Sequence, residues 1–179
     1  MKYIALLRGI NVGGKNIVPM ASLKKRFKEL GFSNVSTYIA SGNVIFESDK
    51  PTKEIKAQLE EALPESFKFD NERIKVLVLT HNQLHIVIDN IPEGFGEQPE
   101  KYHSDVIFLM DIDSASVMPL FNPREGIDKV WPGDGVIYSQ RLSSKRTRSR
   151  LSKIMATPAY KSMTVRSWST TTRMLEILK

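Results

Sequence analysis

The residues best suited to chemistry lie near the start of the chain. Gly9, Gly14 and Lys15 follow the apolar run Tyr3–Leu7 with the spacing Gly-x-x-x-x-Gly-Lys. That spacing belongs to loops that cradle phosphate with backbone amides and a lysine. The pattern then breaks, because Asn16 stands where a Ser or Thr hydroxyl would bind Mg²⁺. Pro19 also biases Val18 away from helical dihedrals, so the following helix starts too late to aim its amides at the loop. The expectation is a looser anion-binding loop. The amides of Gly13 and Gly14 and the ammonium of Lys15 would bind, with Arg8 and Asn11 beside them. The competing reading is that the glycines only turn the chain from strand to helix. Ser41, Gly42 and Asn43 form a second polar tip, expected beside the first loop.

The other chemical feature is the run Arg141–Arg150, with five basic residues and no acid. Lys145 and Arg146 within it, Lys153 just after it and Arg166 further on suit phosphate contacts, arginine giving bidentate pairs. The alternative is a solvated loop without a partner. Charge along the chain favours the first reading. Residues 1–28 hold 7 basic and no acidic residues, residues 29–140 hold 9 and 19, and residues 141–179 hold 10 and 1. A fold that joins the two basic ends would raise positive potential on one face. The expectation is one cleft shared by the Gly9–Lys15 loop and the Lys145–Lys153 segment, where a phosphate would settle.

Other chemistries find few residues. There is no cysteine, hence no disulfide, thiolate metal site or thiol nucleophile. His81 and His85 have helical i, i+4 spacing, but no Glu takes the zincin position and they read as surface histidines. No Gly-x-Ser-x-Gly occurs. No catalytic residue, metal ligand or cofactor is therefore assigned. Tyr3 and Phe46 could stack bases in an RNA-recognition module, yet residues 41–48 lack that module's signature and both rings read as core. Trp131 and Trp168 read as packing residues.

The elements that must hold these residues follow from periodicity. Tyr3–Leu7 is a buried strand. Met20, Leu23, Phe27 and Leu30 form an amphipathic helix with Pro19 at its first position and Gly31 at its end. Val35–Ile39 and Val44–Phe46 are strands of a hairpin. Ile55, Leu59 and Leu63 mark a helix stopped by Pro64, and Ile74–Leu79 is a strand. The order is β-α-β-β-α-β, the split or ferredoxin-like arrangement. Thr80 and Gln83 make a capping box before a helix through Leu84, Val87 and Ile91. Residues 92–101, with two prolines and two glycines, read as a linker. The pattern then recurs. Strands are expected at Asp105–Met110, Ile127–Trp131, Val136–Tyr138 and Thr164–Trp168. Helices are expected after Asp113, through Leu151, Ile154 and Met155, and at the C-terminus behind a Ser169 or Thr170 cap. The fold expected is α+β, two fused ferredoxin-like subdomains with antiparallel sheets, at residues 1–91 and 102–179.

Residues 5–15, then Val18-Pro19-Met20, Gly31-Phe32 and Thr37–Val44, resemble the family known as domain of unknown function 1697. Leu151, Val165-Arg166, Trp168 and Thr171 are similar to its closing pattern. The resemblance implies a cytosolic bacterial protein of two ferredoxin-like subdomains and implies no activity. Family members more often continue Arg-Asn-Trp where this chain has Ser167 between Arg166 and Trp168. With no membrane-length apolar run, the expected protein is cytoplasmic. The function expected is non-catalytic binding of a phosphate-bearing ligand, nucleic acid or nucleotide. One alternative is an enzyme acting on a small anionic or phosphorylated substrate, with Lys15 and Arg8 as clamps. Another is a protein–protein interaction module built on the acidic middle. Oligomeric state is not legible.

Overall fold

A computed structural model describes residues 1–70 and 74–179. The chain divides into two compact units, Met1–Leu84 with Met174–Lys179, and His85–Arg173. Among the described residues, no helix is long and apolar enough to cross a membrane.

The first unit is built on β1 (Lys2–Leu7), which lies between β3 (Asn43–Glu47) and β4 (Val76–Thr80). Adding β2 (Ser33–Tyr38) gives the antiparallel order β2-β3-β1-β4. Every residue from Tyr3 to Leu7 is buried, as a run apolar at all positions demands. Tyr3, Ala5 and Leu7 face a core with Leu23 and Phe27 of α1 (Met20–Glu29) and Ile55, Leu59 and Leu63 of α2 (Thr52–Ser66). Phe46 sits among rings, 5.4 Å from Phe27, 4.8 Å from Phe32 and 5.8 Å from Tyr3. Tyr3 and Phe46 are thus core and not free for base stacking.

The observed bounds correct several expectations. Pro19 is extended and precedes the helix, not within it. Pro64 does not stop α2, which runs to Ser66 and closes with the Phe67 amide on the Leu63 carbonyl. A proline in the last turn removes only one hydrogen bond, which burial of Ile55, Leu59 and Leu63 outweighs. The fourth strand starts at Val76, two residues late.

The predicted capping box forms. The Thr80 amide donates to Gln83 Oε1 at 2.9 Å and the Gln83 amide to Thr80 Oγ1 at 3.2 Å, opening α3 (His81–Asp89).

The second unit repeats the strand order. β5 (Tyr102–Leu109) lies between β7 (Val136–Leu142) and β8 (Met163–Ser167), with β6 (Asp128–Pro132) beyond β7, all antiparallel. The order β6-β7-β5-β8 matches that of the first sheet position by position. Asp113 caps the short α4 (Ser114–Val117) as expected, accepting from the Ser116 amide at 2.8 Å. The helix expected through Leu151 does not form. Ser143–Arg148, Leu151–Ala156 and Pro158–Ser162 are short 3₁₀ turns, and only Ile154 of the three expected apolar residues is buried. Like charges crowded over residues 145–150 and Pro158 both oppose a continuous helix. The C-terminal α5 (Trp168–Leu178) begins at Trp168 and is capped by Ser167 Oγ, which accepts from the Thr170 amide, so neither Ser169 nor Thr170 is the cap.

Residues 92–101 hold a core element as well as turns. Phe95 is buried edge-on against Trp131, Tyr138 and Trp168, with ring centroids 6.0, 5.2 and 5.3 Å away. Tyr138 donates to the Val87 carbonyl at 2.6 Å, and burial pushes its phenol up to about 12. Gly94 and Gly96 both have positive φ, 81° and 76°. A Cβ on Gly96 would lie 2.5 Å from Trp168 Nε1, whereas one on Gly94 would meet open space. Gly94→Ala should therefore cost about 1 kcal/mol from backbone strain alone. Gly96→Ala should cost roughly 1–3 kcal/mol more by overpacking. Urea denaturation of the two variants checks this, and equal losses would mean that Trp168 yields freely.

Candidate functional site

The Gly-rich segment is a tight hairpin at the end of β1. The Lys15 amide donates to the Val12 carbonyl and the Asn11 amide to the Asn16 carbonyl, both at 3.0 Å. Gly13 and Gly14 occupy the turn with φ of 57° and 74°. Two successive left-handed residues define a type I′ turn, which favours glycine at both positions. α1 begins only at Met20, so its N-terminus does not form the phosphate-cradling loop that the Gly-Lys spacing suggested.

Asparagine side chains hold the hairpin. Asn11 Oδ1 accepts from the Val18 amide at 2.8 Å, while Asn11 Nδ2 donates to the carbonyls of Val18 and Ala40 at 3.0 and 2.7 Å. Asn16 Nδ2 donates to the Gly9 carbonyl at 3.0 Å and Asn16 Oδ1 accepts from the Asp70 amide at 2.8 Å. The bond to Ala40 brings the Ser41–Asn43 tip beside the Gly-rich loop. Asn43 is fully buried, its Nδ2 donating to the Tyr38 carbonyl and to Ser41 Oγ. Gly42 packs on Ile10, whose Cδ1 a Cβ would meet at 2.8 Å. Asn11, Ser41 and Asn43 thus hold the loops in place, while Gly13, Gly14 and Lys15 stand exposed at the tip. Among the described residues, the Gly13 and Gly14 amides and the Lys15 ammonium make no hydrogen bond. Arg8 is half-buried, its amide donating to the Lys75 carbonyl.

Lys145, Arg146, Lys153 and Arg166 belong to the second unit. The backbone of the basic segment is anchored at both ends. The Ser143 amide donates to the Lys101 carbonyl at 3.0 Å, and the Arg150 amide donates to Asp128 Oδ2 at 2.8 Å. The same oxygen accepts from the Arg124 amide at 2.9 Å. Between these anchors Lys145, Arg146 and Arg148 are exposed, as is Lys153 beyond them. Among the described residues, no acidic side chain pairs with these four. Arg166 is different. It lies on β8 opposite Val106, only 7% exposed, with Nη1 donating to Thr164 Oγ1 and to the Val165 carbonyl. Burial pushes its guanidinium down to about 10, so it stays cationic at neutral pH.

A further polar group has no counterpart in the sequence reading. Cross-strand register aligns Asp128, Arg141 and His103 on β6, β7 and β5. His103 Nε2 lies 3.0 Å from the Asp105 carboxylate, and Arg141 Nη1 approaches that carboxylate at 4.0 Å. Burial raises the Asp105 pKa, and the nearby His103 and Arg141 charges only partly offset it. Among the described residues, the buried Asp128 Oδ1, Arg124 Nε and Arg141 Nε find no hydrogen-bond partner. The spacing His103-x-Asp105 was the one available sequence signal, since alternate strand residues share a face. The pair can orient an imidazole, but among the described residues no hydroxyl is hydrogen-bonded to His103. No cluster of three or more His, Cys, Asp or Glu among them could hold a metal. A cavity of about 680 Å³ in the first unit is lined by Lys2, Thr80, His81 and Leu178 among others, and by no residue of the Gly-rich loop or the basic segment.

A family model described as protein of unknown function, DUF1697, matches residues 1–138. The chain belongs to the DUF1697 family. The two loops near the start, residues 9–15 and 40–43, fall inside the matched span, and the segment 143–153 falls outside it. The chain is also similar in structure to a conserved bacterial protein from Streptococcus pneumoniae, with 23% identity, a TM-score of 0.82 and coverage of 99% of this chain and 98% of that one. At that identity the likeness speaks for the fold alone. No curated protein matches the chain.

Asp105 gives this DUF1697 protein a measurable pH signature. Its folded pKa lies above the ordinary 3.8, so its proton is held more tightly in the folded state than in the unfolded one. Stability from this group is present below that value and is lost as pH rises through the folded pKa. Asp105→Asn should match the parent near pH 3.5 and melt higher than it at pH 7. Melting curves across that range test this, and a variant that melts lower at pH 7 would mean that the pairing with His103 and Arg141 outweighs the desolvation.

Proposed function

We propose that this is a cytoplasmic protein of two ferredoxin-like halves that binds the phosphate backbone of nucleic acid without catalysis. The repeated strand order of the two antiparallel sheets supports the duplication. One observation carries the binding reading. Lys145, Arg146, Arg148 and Lys153 are exposed and lack acidic partners among the described residues, on a backbone held by the buried Asp128 and by Lys101. Fixing the backbone lowers the ordering cost of binding, and open cations suit a polyanion better than an enclosed small ligand. The Gly13–Lys15 tip of the first unit supplies a second, separate anion contact through amides and an ammonium.

A second reading, an enzyme acting on a small anionic substrate, draws on His103, Asp105 and Arg141. A carboxylate with a raised pKa beside an imidazole and a guanidinium is a known arrangement for acid–base work. This reading requires saturable stabilisation by one small phosphorylated compound that Arg141→Ala abolishes.

Titration of a labelled oligonucleotide by fluorescence anisotropy at several salt concentrations separates the two. The expected affinity falls steeply with salt, and Arg146→Ala with Arg148→Ala shallows the log–log slope by roughly 0.7–0.9 for each phosphate that the variant leaves unneutralised. The melting temperature should hardly change, because exposed charges contribute only about 0–1 kcal/mol. Binding that is absent at low salt, or indifferent to salt, would overturn the reading.

A further inference from the structure

The first unit carries exposed apolar side chains on the same two loops that Asn11 ties together. Val12 is 65% exposed, Ile17 61% and Ile39 49%. Ile39 also has φ of 49°, a left-handed backbone that a β-branched residue rarely adopts. Strain of that kind marks places where a side chain's position matters more than its comfort. Neither loop, residues 9–18 nor 38–43, contains an acidic residue, and Lys15 closes the hairpin beside Val12. Asp70 lies beside the hairpin, its amide donating to Asn16 Oδ1, and among the described residues its carboxylate forms no ion pair with Lys15.

An apolar tip flanked by a cation fits a slot with apolar faces between anionic walls. The stacking faces of two base pairs parted at the minor groove of duplex DNA, between its phosphate strands, offer that combination, and proteins that enter the groove often insert aliphatic wedges between base steps. A two-stranded ribbon with its side chains is wider than the roughly 6 Å groove, so entry must pry the groove open. Resting on the nucleic-acid reading above, we propose that the Val12–Lys15 hairpin is a minor-groove wedge. Val12 enters between base pairs, Ile39 and Ile17 cover the opened groove, and Lys15 meets a phosphate. The ligand class is then duplex DNA, bent on binding, with flexible pyrimidine–purine steps preferred.

The test uses the full chain and a duplex of about 30 base pairs, with a central TA step and a fluorophore at each end. Wild type should raise energy transfer between the ends, consistent with a bend of tens of degrees. The double variant Val12→Thr, Ile39→Asn keeps side-chain size at 12 and suits the left-handed backbone at 39, so it should fold, which its melting curve checks. It should bind the duplex with an unchanged salt slope and without the rise in energy transfer. Bending retained by the variant, binding by wild type without bending, or binding confined to single strands would each overturn the wedge and leave backbone binding standing. Failure to bind any oligonucleotide at low salt would overturn both.

Discussion

Each sheet depends on a strand that cannot face water. β1 is buried on both faces and at every position from Tyr3 to Leu7, so it must lie between two partners and beneath helices. Once β1 is paired with β3 and β4, the loops at its far end are drawn together. The Leu7 amide continues the ladder to the Gly42 carbonyl and the Arg8 amide to the Lys75 carbonyl. The Gly-rich loop, the Ser41–Asn43 tip and the start of β4 therefore share one end of the sheet for reasons of register alone. β5 plays the same part in the second unit, buried from Val106 to Leu109 and flanked by β7 and β8.

On that scaffold the exposed cations are held in place by a half-buried amide, Asn11, and a buried carboxylate, Asp128. Asn11 satisfies two carbonyls and one amide and so holds a loop of left-handed turns to its neighbour. Asp128 commits one carboxylate oxygen to the amides of Arg124 and Arg150 and so stops the basic segment from wandering. A buried carboxylate left unpaired is costly, so these bonds also stabilise the fold around it. The two devices differ in charge. The asparagine adds none, whereas Asp128 places an anion under a cationic stretch and offsets part of its self-repulsion.

The strand and helix types, the capping box at Thr80 and the core roles of Tyr3 and Phe46 were legible in the sequence, because local periodicity and side-chain chemistry decide them. The helix expected at residues 151–155 was not, because three apolar residues at helical spacing compete with charge crowding before them and Pro158 after them. Phe95 reads as one aromatic in a turn-rich stretch until the rings of Trp131, Tyr138 and Trp168 close around it.

The sequence by itself determined which residues are cationic, which turns need glycine and which runs must be buried. Those are properties of single side chains and of their near neighbours. Only the tertiary structure decided that Asn11 and Asn43 hold loops rather than face outward, that Arg166 is buried while Arg146 is exposed, and that Asp128, Arg141 and His103 lie side by side. The burial of Arg166 and the row of Asp128, Arg141 and His103 depend on strand register. Register is set by pairing between segments distant in the chain, where shifting one residue moves every side chain to the other face. The Asn11 bond to Ala40 likewise joins loops distant in the chain.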